Sequence, residues 1–208
     1  MTPKTTRRLR ALALAGALVG YSFTAGLDSP WRRHPLVQAA VGTALAGATG
    51  APLGLRPPRL WAGLRLGALA AGVVTAGVAA STALPRVRAA MAERDLPSPA
   101  LRWLALEIPA GTVWSEETAF RAALGTVAAE AFGPAGGRLL PAAAFGLSHI
   151  PDAGSTGEPV PGTVLVTGLA GWVFGVLAAR SGSLAAPILA HLAVNEAGAL
   201  AALLVQRT

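Results

Sequence analysis

Three ionisable side chains cluster in residues 115–121, inside an apolar tract of about 30 residues, and this combination limits what the chain can fold into. The tract runs from residue 103 to 132, and the clustered charged groups are Glu116, Glu117 and Arg121. As one helix it would be roughly 45 Å long, which is more than a bilayer core requires. A charged side chain in hydrocarbon persists only where it faces the protein interior, a partner or water. The cluster therefore predicts a functional site within the membrane.

The spacing within this cluster indicates how its charges are arranged. On a helix, Glu117 and Arg121 lie four residues apart on one face with the acid first, an order that favours an ion pair. This pair leaves Glu116 as the carboxylate without an assigned partner. Pro109 and Gly111 precede the cluster, and we expect them to kink the helix or to start a new one.

Composition indicates that the cluster belongs to a membrane protein. Hydrophobic residues make up 53% of the 208-residue chain and 25 residues are Gly, unlike an ordinary soluble fold. Small residues let helices in a bilayer approach one another closely. We predict an all-α fold, a polytopic transmembrane helix bundle with about seven apolar segments. These segments are residues 11–27, 36–55, 66–84, 103–132, 138–150, 160–179 and 184–205.

The net charge of +7 has a membrane explanation rather than a nucleic-acid one. Basic loops that flank membrane spans contact anionic lipid headgroups, and the sequence contains no recognisable nucleic-acid-binding motif. We therefore expect the lipid bilayer as a partner and no nucleic acid. The distribution of Lys and Arg, with a composition rich in Ala, Arg and Gly, predicts an integral protein of the bacterial cell membrane with a cytoplasmic N-terminus.

The most polar stretch of the chain, residues 85–102, predicts where it divides. Charged residues and three prolines interrupt the apolar pattern there, as they do at a boundary between two units. We predict that residues 1–100 form a scaffold of transmembrane helices and basic loops. Residues 101–208 would then form the catalytic transmembrane core.

Two of the three histidines, His149 and His191, fall deep in apolar segments, which is an uncommon position for this residue. Helical spacing places Phe145 on the same face as His149, and Asn195 on the same face as His191. Together with Glu116, these side chains come from three separate segments and can project into a common interior. Catalytic sites in helix bundles are built in this way.

The order of these residues resembles a known family. The chain contains Glu116-Glu117-x-x-x-Arg121, then Phe145-x-x-x-His149, then His191-x-x-x-Asn195. This pattern is similar to the three motifs of the CPBP family, the CAAX-protease and bacteriocin-processing (Abi) intramembrane proteases. The segment Gly171-Trp172-Val173-Phe174-Gly175 and the following Arg180-Ser181-Gly182-Ser183-Leu184 also look like that family. The resemblance covers about residues 113–196, and Ala122 departs from the Gly that is common there.

The resemblance implies an intramembrane endopeptidase that acts on a peptide or a membrane protein. The chain has no Cys and neither a Gly-x-Ser-x-Gly nor a His-Glu-x-x-His motif, so water is the natural nucleophile. On this hypothesis Glu116 and His149 hold and deprotonate water, and His191 and Asn195 donate hydrogen bonds to the oxyanion. Glu117, Arg121 and Phe145 would support these groups.

Two alternatives to this mechanism stay open. In the first, Glu116, His149 and His191 bind zinc, because two imidazoles and one carboxylate are a known ligand set for catalytic zinc. We favour the version without a cofactor. In the second, the fold is a non-catalytic immunity or scaffold protein of the membrane, or a transporter with Glu116 and His149 as a proton relay.

Overall fold

The chain folds into helices joined by short connections, in a computed structural model that describes residues 2–24 and 29–207. Two of the helices have π-helical hydrogen bonding, and the described residues contain no β-strand. The elements are α1 (Pro3–Ser22), α2 (Pro30–Arg33), α3 (Pro35–Ala48), α4 (Arg59–Thr82), α5 (Pro85–Glu93), α6 (Ala100–Arg102), π1 (Trp103–Trp114), π2 (Glu117–Leu124), α7 (Gly125–Ser148), α8 (Ile150–Thr156), α9 (Val160–Ser181) and α10 (Ala185–Val205). The all-α prediction is confirmed.

Three helices, α4, α9 and α10, are long and apolar enough to cross a membrane, and α3 is a shorter apolar helix. Much of their hydrophobic surface is exposed, as expected for helices that face lipid. The prediction of a membrane helix bundle is confirmed, whereas the number of seven apolar segments stays a prediction. The predicted end of the first segment, near residue 27, lies outside the described residues.

The helix that carries the acidic cluster is continuous where we expected an interruption. Helical backbone runs through Pro109 and Gly111, with N–H groups that bond to carbonyls five residues back, as in the pair Ser115 to Ala110. The wider π-helical turn accommodates Pro109, which has no N–H to donate. The expectation of a new helix at this point is therefore wrong. Segments of π-helix are rare and are frequent at functional sites.

The chain instead reverses at Gly133, inside α7. This residue has φ +77° and ψ −178°, a conformation that favours glycine, and Pro134 follows it. The two halves of α7 then run side by side, because Gly137 in the second half lies against Ala129 and the Gly125 carbonyl in the first half. Residues 103–148 thus form a helical hairpin.

Small residues set the distances between the packed helices. α4 packs on α10, the second half of α7 packs on α9, and α3 packs on π1 and π2. At Gly42 of α3, an added Cβ would lie 2.6 Å from the Ser115 carbonyl oxygen and would also collide with Thr118. Helices from residues 1–100 therefore pack directly on those from 101–208, and the division near residue 100 stays a prediction.

One end of the bundle is rich in arginine, and we call it the arginine-rich end. At this end the α3–α4 connection contacts the α9–α10 turn, and the Leu184 N–H donates to the Leu53 carbonyl at 2.8 Å. Gly54 and Gly182 meet there with φ of +63° and +66°, and the Gly182 carbonyl leaves no room for a Cβ on Gly54. The arginines of this end are Arg56, Arg59, Arg138 and Arg180.

We predict that Gly42→Ala destabilises the protein by about 1–3 kcal/mol, because the methyl group must push α3 away from the backbone of Ser115. The midpoint of thermal unfolding in detergent measures this effect. Gly47→Ala on the same helix is the matched control, since nothing lies within 4 Å of its added Cβ. Equal midpoints for the two variants would contradict the close approach of α3.

Candidate active site

A buried ion pair lies at the centre of the site. Arg121 Nε lies 3.3 Å from Glu117 Oε2, and the two side chains are only 2% and 0% exposed. The guanidinium carbon of Arg121 lies 4.0 Å from the ring centroid of Phe145 and 5.0 Å from that of Phe174. Both rings present π-electrons to the cation, which offsets part of its desolvation. The ion pair predicted from the i, i+4 spacing is confirmed.

His191 joins this pair from α10. Its Nδ1 lies 2.8 Å from Glu117 Oε1, and its ring stacks on Phe174 with centroids 4.8 Å apart. A carboxylate can only accept, so Nδ1 carries the proton in this contact. The other nitrogen, Nε2, lies 3.6 Å from Glu116 Oε2. His191 thus stands between the two carboxylates, and it is the group that Glu116 meets.

His149 is oriented by its own helix. Its Nδ1 lies 2.7 Å from the Phe145 carbonyl oxygen, and its ring meets the Phe145 ring edge to face with centroids 4.6 Å apart. Because the carbonyl oxygen can only accept, Nδ1 is the donor. In the neutral ring, Nε2 is left with a lone pair that can take a proton from water or bind a metal ion.

Asn195 is the one predicted site residue that is directed elsewhere. Its Nδ2 donates to the His191 carbonyl oxygen, one turn back on α10, at 3.1 Å. The side chain is partly buried and does not line the cavity described below. In this conformation the Asn195 amide is hydrogen-bonded within its own helix. It can contact a substrate only if the side chain rotates.

A cavity of about 390 Å³ opens beside the ion pair and is lined by both Glu116 and His149. Its walls come from α1, α3, the helix of residues 103–124 and the end of α7, and they are largely apolar. The polar lining also includes Gln38, Ser115 and Ser148. Two predicted site residues from separate segments therefore line the same cavity.

Several residues of the site are absent from the sequence-based prediction, among them Phe174 and Gln38. Phe174 contacts both Arg121 and His191, and nothing in its residue type distinguishes it from other apolar positions. Gln38 lines the cavity from α3. A detectable signal existed for Gln38, because it is the single amide within the apolar segment 36–55.

The donor set has the chemistry that zinc requires, since Nδ1 of His149 and of His191 are both engaged and each ring has Nε2 left over. Glu116 Oε2, which is buried and has no hydrogen-bond partner within the described residues, would be the third ligand. Within residues 2–24 and 29–207, no three His, Asp or Glu side chains lie close enough together to hold a metal ion. Binding zinc would therefore require these three side chains to converge.

Comparison with known proteins identifies a family for this region. Residues 98–197, just under half of the chain, match the Rce1-like family, described as type II CAAX prenyl endopeptidase Rce1-like. The predicted resemblance to the CAAX-protease (CPBP) family is thereby confirmed, and all seven predicted site residues lie within the match. Neither the curated proteins nor the solved structures contain a significant match.

We predict that Glu117→Gln lowers the stability of the folded protein by about 3–5 kcal/mol, because Arg121 would stay buried without its counter-ion. Glu107→Gln is the control. Glu107 pairs with Arg102 at 3.1 Å, but both side chains are exposed, and such pairs contribute about 0–1 kcal/mol. Thermal unfolding of both variants in detergent measures the difference, and a mild effect of Glu117→Gln would contradict the central role of the pair.

Proposed function

We propose that the chain is an intramembrane endopeptidase that hydrolyses a peptide bond with activated water. The observation that carries this proposal is that Glu116 and His149 line one cavity, while His191 and Glu117 stand directly behind Glu116. Peptides or membrane proteins that reach the cavity from the bilayer are the substrates. The family match over residues 98–197 supports this reaction class.

Glu116 and His149 activate the water. Glu116 Oε2 is buried and has no hydrogen-bond partner within the described residues, so it is available to accept a proton. The free Nε2 of His149 offers a second acceptor on the same cavity. Water held between them loses its proton to Glu116 as its oxygen attacks the substrate carbonyl carbon. Glu116 then returns this proton to the leaving amine nitrogen as the C–N bond breaks.

His191 provides a donor for the oxyanion. With Nδ1–H held by Glu117, the ring presents an N–H at Nε2 when it carries both protons. Arg121 balances the charge of Glu117 in turn, so the donor is fixed in position before the substrate arrives.

Asn195 adds the second donor by rotating away from the His191 carbonyl when the substrate binds. A well-placed donor to an oxyanion stabilises the transition state by about 3–4 kcal/mol. Phe145 supports both sides of the site, because its ring contacts Arg121 and its carbonyl orients His149.

The zinc-dependent version uses the same residues. Glu116, His149 and His191 would hold the ion through one carboxylate oxygen and two Nε2 atoms. Zinc, when bound, supplies Lewis-acid activation of water. Glu117 would then orient His191 through Nδ1, as an outer carboxylate does in many zinc sites.

The proposal includes a bacterial cell membrane and a cytoplasmic N-terminus. Arg8 of α1 lies over the ring of Phe132, 5.8 Å from its centroid, which places the start of α1 next to the Gly133 reversal. Basic residues of the N-terminus therefore gather with those of the arginine-rich end. Cytoplasmic loops of membrane proteins are enriched in Lys and Arg, which supports this orientation.

We predict that Glu116→Ala lowers the rate of peptide cleavage by about 10²–10⁴-fold, because the proton acceptor is lost. The assay uses detergent-purified protein and a quenched peptide library, with and without a strong chelator. Glu130→Ala, an exposed acid on the same hairpin, is the control and should cleave like the wild type. Loss of cleavage with chelator and recovery with zinc would favour the zinc version, and no cleavage by the wild type would favour a scaffold.

We predict that Asn195→Ala lowers kcat by about 10²–10³-fold and changes KM little, because its amide acts on the oxyanion rather than on the bound substrate. Steady-state kinetics with the best peptide of the library measure both constants. Val194→Ala changes an exposed neighbour on the same helix and should leave kcat and KM unaltered. A rise in KM with normal kcat would place Asn195 in substrate binding instead.

A further inference from the structure

A second cavity, of about 350 Å³, lies at the arginine-rich end. Arg59 of α4 and Arg138 of α7 line it, together with Arg121, Thr126 and Ser183. None of the described residues that line it is acidic. Three arginines thus border one small space, and only Arg121 has a carboxylate partner within the described part of the chain.

Arg59 and Arg138 lie against two glycines at this cavity. The Cδ of Arg59 lies 3.5 Å from where a Cβ of Gly182 would be, and the Cγ of Arg138 lies 3.7 Å from that of Gly175. The stems of both arginines thus run along the turn and the helix that border the cavity. Among the described residues, neither guanidinium has a hydrogen bond or an ion pair. Cations gathered without counter-charge repel one another, so an anion bound between them would stabilise the arrangement.

Hydroxyl groups complete the set of donors. Ser183 Oγ accepts from the Ala185 N–H at 3.2 Å, and no described group accepts its hydroxyl hydrogen. The Thr126 hydroxyl likewise makes no hydrogen bond to the described residues. Arginine forks match the oxygens of a phosphate group in a way that a single ammonium cannot. Two such forks with two hydroxyls therefore indicate a phosphate group rather than a halide.

We propose that this cavity binds the phosphate group of an anionic phospholipid. The cavity lies at the end of the bundle, beside the exposed Arg180 and the exposed apolar side chain of Leu139. A headgroup at this level places its acyl chains along the hydrophobic surface of the helices. The bound lipid links α4, α7 and the α9–α10 turn, and it lies directly behind Arg121 of the site.

The test measures thermal unfolding of the purified protein in a neutral detergent with added phosphatidylglycerol. We expect the midpoint to rise by about 5 °C or more at saturating lipid, because the ligand binds only the folded state. A phosphate-free glycolipid with the same acyl chains should not produce this rise. Inorganic phosphate, compared with chloride at equal ionic strength, distinguishes the two sources: a full rise with phosphate alone assigns the site to the free ion.

Variants test whether lipid binding in this cavity causes the rise of the unfolding midpoint. Arg59→Gln and Arg138→Gln, made singly, should each remove most of the rise, whereas Arg180→Gln, at the same end but outside the cavity, should retain it. Binding of a fluorescent phosphatidylglycerol gives a second readout if a variant is itself less stable. The proposal is overturned if both cavity variants respond like the wild type or if the glycolipid stabilises equally. Neither readout uses peptide cleavage, so the outcome is independent of the proposed peptidase function.

Discussion

The arrangement of the site depends on one buried charge, that of Arg121. A guanidinium removed from water costs several kcal/mol unless a counter-ion compensates for it, and Glu117 is that counter-ion. Phe145 and Phe174 cover the cation from α7 and α9, and His191 binds the remaining oxygen of Glu117 from α10. One electrostatic requirement therefore fixes the relative positions of helices that are far apart in the chain. The catalytic geometry proposed for Glu116 follows from the same requirement, because its neighbour is immobile.

Part of this arrangement could be predicted from the sequence. The Glu117–Arg121 pair follows from local helical spacing, and the three motifs carried the family resemblance that the match over residues 98–197 confirms. The contact of His191 with both carboxylates could not be predicted in the same way, because 74 positions separate it from Glu117 and no periodicity relates two helices that pack together. The catalytic roles of Glu116, His149, His191 and Asn195 stay predictions.

The fold was predictable in class but not in its irregular features. Hydropathy indicated an all-α membrane bundle, and the break between residues 132 and 138 corresponds to the reversal at Gly133. Pro109 wrongly predicted a helix start, because the π-helical turn continues through this residue although proline has no N–H to donate. The close approach at Gly42 depends on which helix lies opposite, and this information is absent from a single segment.

The local origin of the ion pair has a consequence for how the chain enters the bilayer during synthesis. Glu117 and Arg121 lie on one helix, so their charges neutralise each other before α9 and α10 have been made. The hairpin formed by residues 103–148, with its reversal at Gly133, can therefore leave the translocation channel as one unit in which the charge of Arg121 is already compensated. His191 arrives later and engages an acid that is already in place. Assembly of the site is thus a late docking event rather than a condition for insertion.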